Sequence, residues 1–296
     1  HVLLLLTHHI AGDGASLLPL ARGLSVAYAA RCEGKAPGWT PLPLLYADYA
    51  LWQQELLGSE DDAESMAGRQ RAFWQATLQD LPEQLALPAD HPRPLAPSYR
   101  GDVVPLQIAP QVHERILQLA RDGQASVFMV LQAALAGLLS RLGAGDDIVI
   151  GSPVAGRSDH ALDELIGCFV NTLVLRTDTS GRPSLRELVS RVRATNLAAY
   201  ANQEFPYDRL VELQRSGVGR ARTNQPLFQV MLGFQNSSRL SFSLPGLSIT
   251  PQPVEIDTAK FDLSFILSEQ RGADGLPGGI GGGIQYSSDL FERDRK

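Results

Sequence analysis

The stretch HHIAGDG, residues 8–14, follows an apolar run at residues 2–6, and the reading of the whole chain turns on it. The unbroken apolar run predicts a strand buried on both faces. A turn follows, and Ser16 is placed to cap a helix with Pro19 in its first turn. A histidine at a strand end is held by the sheet and reachable from a cleft. Its ordinary pKa of ~6.5 suits proton transfer near neutrality. In extended backbone adjacent side chains point to opposite sides, so His8 and His9 have unequal jobs, one structural and one chemical. Asp13 is placed to orient a ring or to anchor the loop on a distant cation. Gly14 permits tight geometry and offers an N–H to a developing oxyanion, helped by the positive end of the helix. The competing reading is a facial metal site. Adjacent histidines diverge and no third nitrogen or sulfur ligand lies nearby, so no metal is expected.

Composition sets the frame. The chain has 296 residues, 44% apolar and 20% charged, enough for one large domain or two smaller ones. A net charge of −6 argues against a nucleic-acid binder. Two cysteines, Cys32 and Cys168, lie far apart and lack metal spacing, which fits a cytoplasmic location. No apolar run reaches the ~20 residues of a spanning helix, and the opening lacks the marks of a signal peptide, so no membrane partner is expected. The first residue is His1, which predicts a piece of a longer chain.

Beyond the opening, LLYADYALWQQELL (44–57) and the residues following 59–65 predict two more helices. LPADHPRPLAPSYRG (87–101) is proline-rich and extended, and it is the expected boundary between a lobe over 1–100 and a lobe over 101–296. DVVPLQI (102–108) predicts a strand. The next helix should turn Val112, Ile116 and Leu119 inward, leaving His113 on its polar face; His91, His113 and His160 are read as solvated. Ser126 should cap a core helix that is apolar nearly all round. Strands are expected within 146–154 and 168–178, and a helix from Ser184. Past residue 227 alternating segments predict mainly strands, with GLPGGIGGG (275–283) as a flexible hairpin loop. The sum is a mixed α/β architecture in two parts.

HHIAGDG resembles the His-His-x-x-x-Asp-Gly signature of the condensation domains of nonribosomal peptide synthetases. The shorter His-x-x-x-Asp-Gly form also occurs in acyltransferases of the chloramphenicol acetyltransferase type. YADYALW (46–52), IGCFVNTLVLR (166–176), NQEFPYDRLVE (202–212) and PLFQVML (226–232) resemble further blocks of the condensation family, in the family's order. The resemblance implies a two-lobed chloramphenicol acetyltransferase-like fold, here with an incomplete N-terminal lobe and most of the C-terminal lobe. It implies an acyltransferase that joins a donor acyl or peptidyl thioester to an acceptor aminoacyl thioester in a central tunnel. Both substrates would arrive on phosphopantetheine arms of upstream and downstream peptidyl carrier domains, beside an adenylation domain. The domain itself would bind no cofactor and act as a monomer. This piece alone is expected to be inactive.

By resemblance, His9 is the central histidine, acting as general base or positioning the amine. His8 buttresses the turn, and Gly14 faces the oxyanion. Asp13 is a loop anchor that pairs with an arginine, whose position the sequence leaves open between this chain and a preceding segment. Asn171 either lines the tunnel or pins its strand, and Arg220 matches the first of two arginines before the Pro-Leu-Phe block. The tyrosines and Trp52 of YADYALW are expected to pack. The chain departs from the family at Ala15, where tryptophan is common, and at Asn224, where the second arginine would stand. Rival readings are an epimerization domain of the same fold and a non-catalytic docking module of that fold. A heterocyclization domain is opposed by the intact histidines.

Overall fold

The computed structural model describes residues 1–216, 227–235, 244–250, 252, 257–272 and 274–293. Its helices are α1 (Leu17–Cys32), α2 (Tyr46–Leu57), α3 (Met66–Thr77), α4 (Pro110–Asp122), α5 (Val127–Leu139), α6 (Leu185–Ala201) and α7 (Tyr207–Ser216). Its strands are β1 (Gly101–Ile108), β2 (Asp147–Val154), β3 (Asn171–Asp178), β4 (Val230–Gln235), β5 (Leu263–Arg271) and β6 (Pro277–Ser287). They form one mixed sheet in the order β1-β6-β5-β4-β2-β3. β6 runs antiparallel to both β1 and β5, while β4 is parallel to β5 and β2. The fold class is therefore the mixed α/β one expected.

The chain forms two compact units. One comprises residues 1–71, 154–171 and 237–254; the other comprises 72–153, 172–236 and 255–296. The units thus divide along lines other than a single cut at residue 100. After β2 the chain leaves the sheet, contributes residues 154–171 to the first unit, and returns as β3.

In the second unit the core is built where α5 lies on the sheet. Leu131, Leu135, Ala136 and Leu139 of α5 meet Ile148, Ile150, Val230, Leu232, Leu267 and Ile280. The opposite side of α5 supplies Met129, Val130 and Ala133 to a second cluster with Ala120 of α4 and Leu188, Val189 and Val192 of α6. A helix packed on two sides must be apolar nearly all round, as the sequence indicated. The Ser126 side chain caps it, accepting from the Met129 N–H. Val127–Ala144 is long and apolar enough to cross a membrane, but half of that window is buried inside the protein. The buried amide of Gln132 is satisfied by accepting from Asn196 at 2.6 Å and donating to Thr177 at 3.3 Å. Arg176, on β3, holds Asp147 with Nε and Nη2 and the carbonyls of Thr77 and Gln79 with Nη1.

Several sequence expectations fail for physical reasons. Residues 2–6 form no strand: Val2 and Leu6 are each 89% exposed, and the run pairs with no described strand. Apolar side chains alone do not make a strand, which needs a ladder partner for its backbone groups. On α4, Ile116 and Leu119 pack against the core as expected, but Val112 is 47% exposed, and His113 is buried beside Ala120 instead of lying on the polar face. His113 is fully enclosed, and its Nδ1 accepts from the Gly279 N–H at 3.3 Å where the register of β5 against β6 shifts. A backbone donor freed by that irregularity explains a polar ring at a core position. His91 and His160 are exposed or nearly so, as expected.

The run GLPGGIGGG is no loop. Its residues from Pro277 onward belong to β6, an inner strand flanked by β1 and β5. A Cβ on Gly282 would stand 2.0 Å from the Ile266 carbonyl oxygen and 2.9 Å from the Leu267 Cα. Both contacts are backbone, so neither yields without moving β5. Gly282→Ala should therefore lower stability by about 1–3 kcal/mol, read as a fall in the denaturant midpoint at unchanged m-value. A midpoint equal to that of the unsubstituted protein would show that the sheet relaxes freely here.

Residues 240–243 of LSFSL and half of LSITPQPVEI (247–256) lie outside the described residues, as do Arg220 and Asn224. Residues 247–250 are described and form no strand.

Candidate active site

His8, His9, Asp13, Gly14, Arg157 and residues 166–171 all belong to the first unit. Residues 9–11 form a single helical turn, and His8 precedes it in extended backbone. The His8 Nδ1 accepts from the Ile10 N–H at 3.2 Å. That bond fixes the neutral acceptor nitrogen of His8 and caps the turn. His9 is exposed, and its Nδ1 lies 3.8 Å from the Cys168 Sγ. The two histidines thus differ in employment, one holding backbone and the other presenting its ring.

Asp13 is the buried hub beneath them. Its Oδ1 accepts from the Ser16 N–H at 2.9 Å, the Ser16 hydroxyl at 2.8 Å and Arg157 Nη2 at 3.1 Å. Its Oδ2 accepts from the Phe169 N–H at 3.0 Å. The Asp13 and Arg157 side chains are only 3% and 5% exposed. Burial pushes the Asp13 carboxyl up, but the Phe169 N–H, Ser16 and Arg157 outweigh it and hold it below the usual carboxylate range. The arginine partner of Asp13 is therefore within this chain, at the end of GSPVAGR (151–157) just past β2. Arg157 Nη1 also donates to the carbonyls of Leu162 and Leu165, and its guanidinium lies 4.0 Å from the centre of the Phe169 ring.

Ser16 does not cap α1 with its side chain. Its hydroxyl is spent on the hub: its one hydrogen is shared between Asp13 Oδ1 and the Gly167 carbonyl, and its oxygen accepts from the Gly167 N–H. The Asp13 N–H donates to the same Gly167 carbonyl at 3.1 Å. The loop bearing the histidines and the loop 166–171 are thus fastened as one piece. Gly167 is required by this closeness, since a Cβ there would stand 2.1 Å from the Tyr46 ring.

YADYALW opens α2, and its tyrosines pack as expected. The Tyr46 hydroxyl donates to the Cys168 carbonyl at 2.7 Å. The rings of Tyr46 and Tyr49 lie 5.1 and 4.6 Å from the Phe169 ring. Trp52 stays 49% exposed. Gly14 is exposed, with open space where a Cβ would be. Asn171 is partly buried and opens β3 at the end of the same loop. Among the described residues no cluster of histidine, cysteine and carboxylate side chains is fit to hold a metal.

Sequence reasoning missed Arg157, Ser16 as a hub and Cys168. Arg157 sits among turn residues with nothing periodic to mark it. Cys168 lies inside a motif whose residues were read together, and its proximity to His9 is a tertiary fact.

A family model described as the condensation domain matches residues 1–295. A dimodular nonribosomal peptide synthase of Bacillus subtilis is 56% identical over 294 residues, covering 99% of this chain but 12% of its own length. The X-domain in its complex with OxyB from teicoplanin biosynthesis matches with a TM-score of 0.87 at 34% identity, covering 97% of this chain and 62% of that one. The first condensation domain of the calcium-dependent antibiotic synthetase, bound to a substrate analogue, matches with a TM-score of 0.68 at 22% identity, covering 96% and 58%. That likeness speaks for the fold.

Proposed function

The chain belongs to the condensation-domain family, and from that premise we propose that it forms an amide between two carrier-bound acyl groups in nonribosomal peptide synthesis. The observation that carries the reading is the exposed His9 ring on a turn locked to a buried Asp13–Arg157–Ser16 hub. Such a hub supplies rigidity where a reacting centre needs it. The partners are the phosphopantetheine arms of upstream and downstream carrier domains, with an adenylation domain adjacent and the assembly in the cytoplasm.

In the proposed step the acceptor α-amine attacks the carbonyl carbon of the donor thioester. A C–N bond forms and the C–S bond breaks. The amine's proton leaves through His9 or with the departing thiolate, so atoms and charge balance. An α-amine has a pKa near ~8, so much of it is already neutral at cellular pH. His9 therefore serves either by taking the proton after attack or by positioning the reactants. His8 supports the turn, Asp13 anchors it, and Gly14 offers its N–H to the oxyanion. Asn171 and Arg220 are proposed substrate-binding residues.

The test supplies donor and acceptor thioesters on loaded carrier proteins to the full-length protein and reads the amide by mass spectrometry. New amide supports the reading. Exchange of the donor α-proton without amide points to epimerization. Neither reaction points to a docking module, a reading kept open by the likeness to an X-domain found in complex with another protein.

A further inference from the structure

Three consecutive residues, Gly167, Cys168 and Phe169, are pinned by different partners. Gly167 is held through its N–H and carbonyl by Ser16 and Asp13. The Cys168 carbonyl is held by the Tyr46 hydroxyl, and the Phe169 N–H by Asp13. The backbone on either side of the thiol is fixed, so the thiol itself is delivered to one place. That place is the Nδ1 side of the His9 ring, at 3.8 Å. His9 by contrast stands on a single helical turn and is exposed, so little else in its own segment fixes its ring.

We propose that Cys168 is the positioning residue of His9, its S–H donating to Nδ1 so that the ring presents a protonated Nε2 to the reactants. The inference rests on the reading of His9 as the reacting histidine and deepens it. A thiol is a weak donor, but imidazole nitrogen is a strong acceptor, whereas a neutral thiol sulfur accepts poorly from an N–H. The direction S–H to Nδ1 is therefore the favoured one. Burial, followed by the nearby Asp13 charge, pushes the Cys168 thiol up from its usual range despite the Val170 N–H, which keeps the hydrogen in place near neutrality. With Nδ1 occupied and Nε2 protonated, the resting His9 is a hydrogen-bond donor to the reacting carbonyl rather than a base toward the amine. That selects between the two roles left open above. Proton acceptance would first require the thiol bond to break.

The test uses Cys168→Ala and Cys168→Ser in the full-length protein with two readouts. The first is the ¹⁵N spectrum of the His9 imidazole at fixed neutral pH, which shows which nitrogen carries the hydrogen without any turnover. The expected result is a single Nε2–H form in the parent protein, a mixture of both forms in Cys168→Ala, and partial recovery in Cys168→Ser. The second is amide formation, where Cys168→Ala should lower kcat about three- to ten-fold with KM unchanged, the loss of one neutral hydrogen bond. An Nδ1–H form in the parent, or the same distribution in parent and Cys168→Ala, would overturn the proposal. If the spectrum changes as expected while His9→Ala leaves amide formation intact, the assignment of His9 as reacting residue fails and the Cys168 contact stands.

Discussion

Asp13→Ala should lower the stability of the protein by about 3–5 kcal/mol, the cost of leaving a buried charge without its partner. The guanidinium of Arg157 would remain 5% exposed among the carbonyls of Leu162 and Leu165 and the Phe169 ring. The N–H groups of Ser16 and Phe169 would lose their acceptor as well. Arg157→Met should cost less, about 2–3 kcal/mol, because the Asp13 carboxylate keeps three other donors. The order of the two variants is the discriminating result. It follows from counting what each leaves unsatisfied, not from the pair distance, which is common to both. Denaturant unfolding at neutral pH measures it, and equal losses would show that the ion pair acts as a single unit.

Asp13 also gives the hub a pH signature. Its folded-state pKa is lowered, so the stability it contributes is fully present above the ordinary aspartate value of ~3.9 and is lost as pH falls through the folded value. Asp13→Asn should therefore be less stable than the parent near neutrality and converge on it in acid. A gap that stays constant down to low pH would assign the stabilisation to packing instead of charge.

What the sequence disclosed about this hub was partial in an instructive way. The spacing of Asp13 after the histidines marked it as a group to orient a ring or to anchor the loop on a distant cation, and the structure pairs it with Arg157. Its partner was not visible, because Arg157 comes from a connection 144 residues away whose only local signals are turn residues. Helices α2, α3, α5 and α6 were readable because periodicity and caps are local properties. On α4 the inward Ile116 and Leu119 were readable, but His113 was misplaced, because a histidine at a core position is set by a distant backbone donor, Gly279, and no periodicity in the helix reports it. The second half of β6, within GGIQYSS (282–288), was readable as a strand, but its glycine-rich first half was misjudged for a related reason. Glycine weakens a strand locally, yet here the absent side chains let β5 and β1 close in, so tertiary packing overrides propensity. The apolar opening erred in the other direction, promising a strand from composition where no ladder partner is described.

His9→Ala should reduce amide formation by about 10²- to 10⁴-fold, the range for losing a positioned acid–base or oxyanion-donating group. The fold should survive, because His9 is exposed and its ring makes no bond to the Asp13 hub. Unchanged unfolding with collapsed kcat separates it from Asp13→Ala, in which both should fall. His9→Gln then distinguishes the two chemical roles. A glutamine amide can donate a hydrogen bond but cannot take up a proton at neutral pH. If the resting ring works as an Nε2–H donor, His9→Gln should recover part of the activity lost in His9→Ala. If His9 must accept the amine's proton, glutamine should be as poor as alanine. Full activity in His9→Ala, with substrate-saturated rates equal to the parent, would remove His9 from the chemistry and leave the locked turn as a scaffold for docking alone.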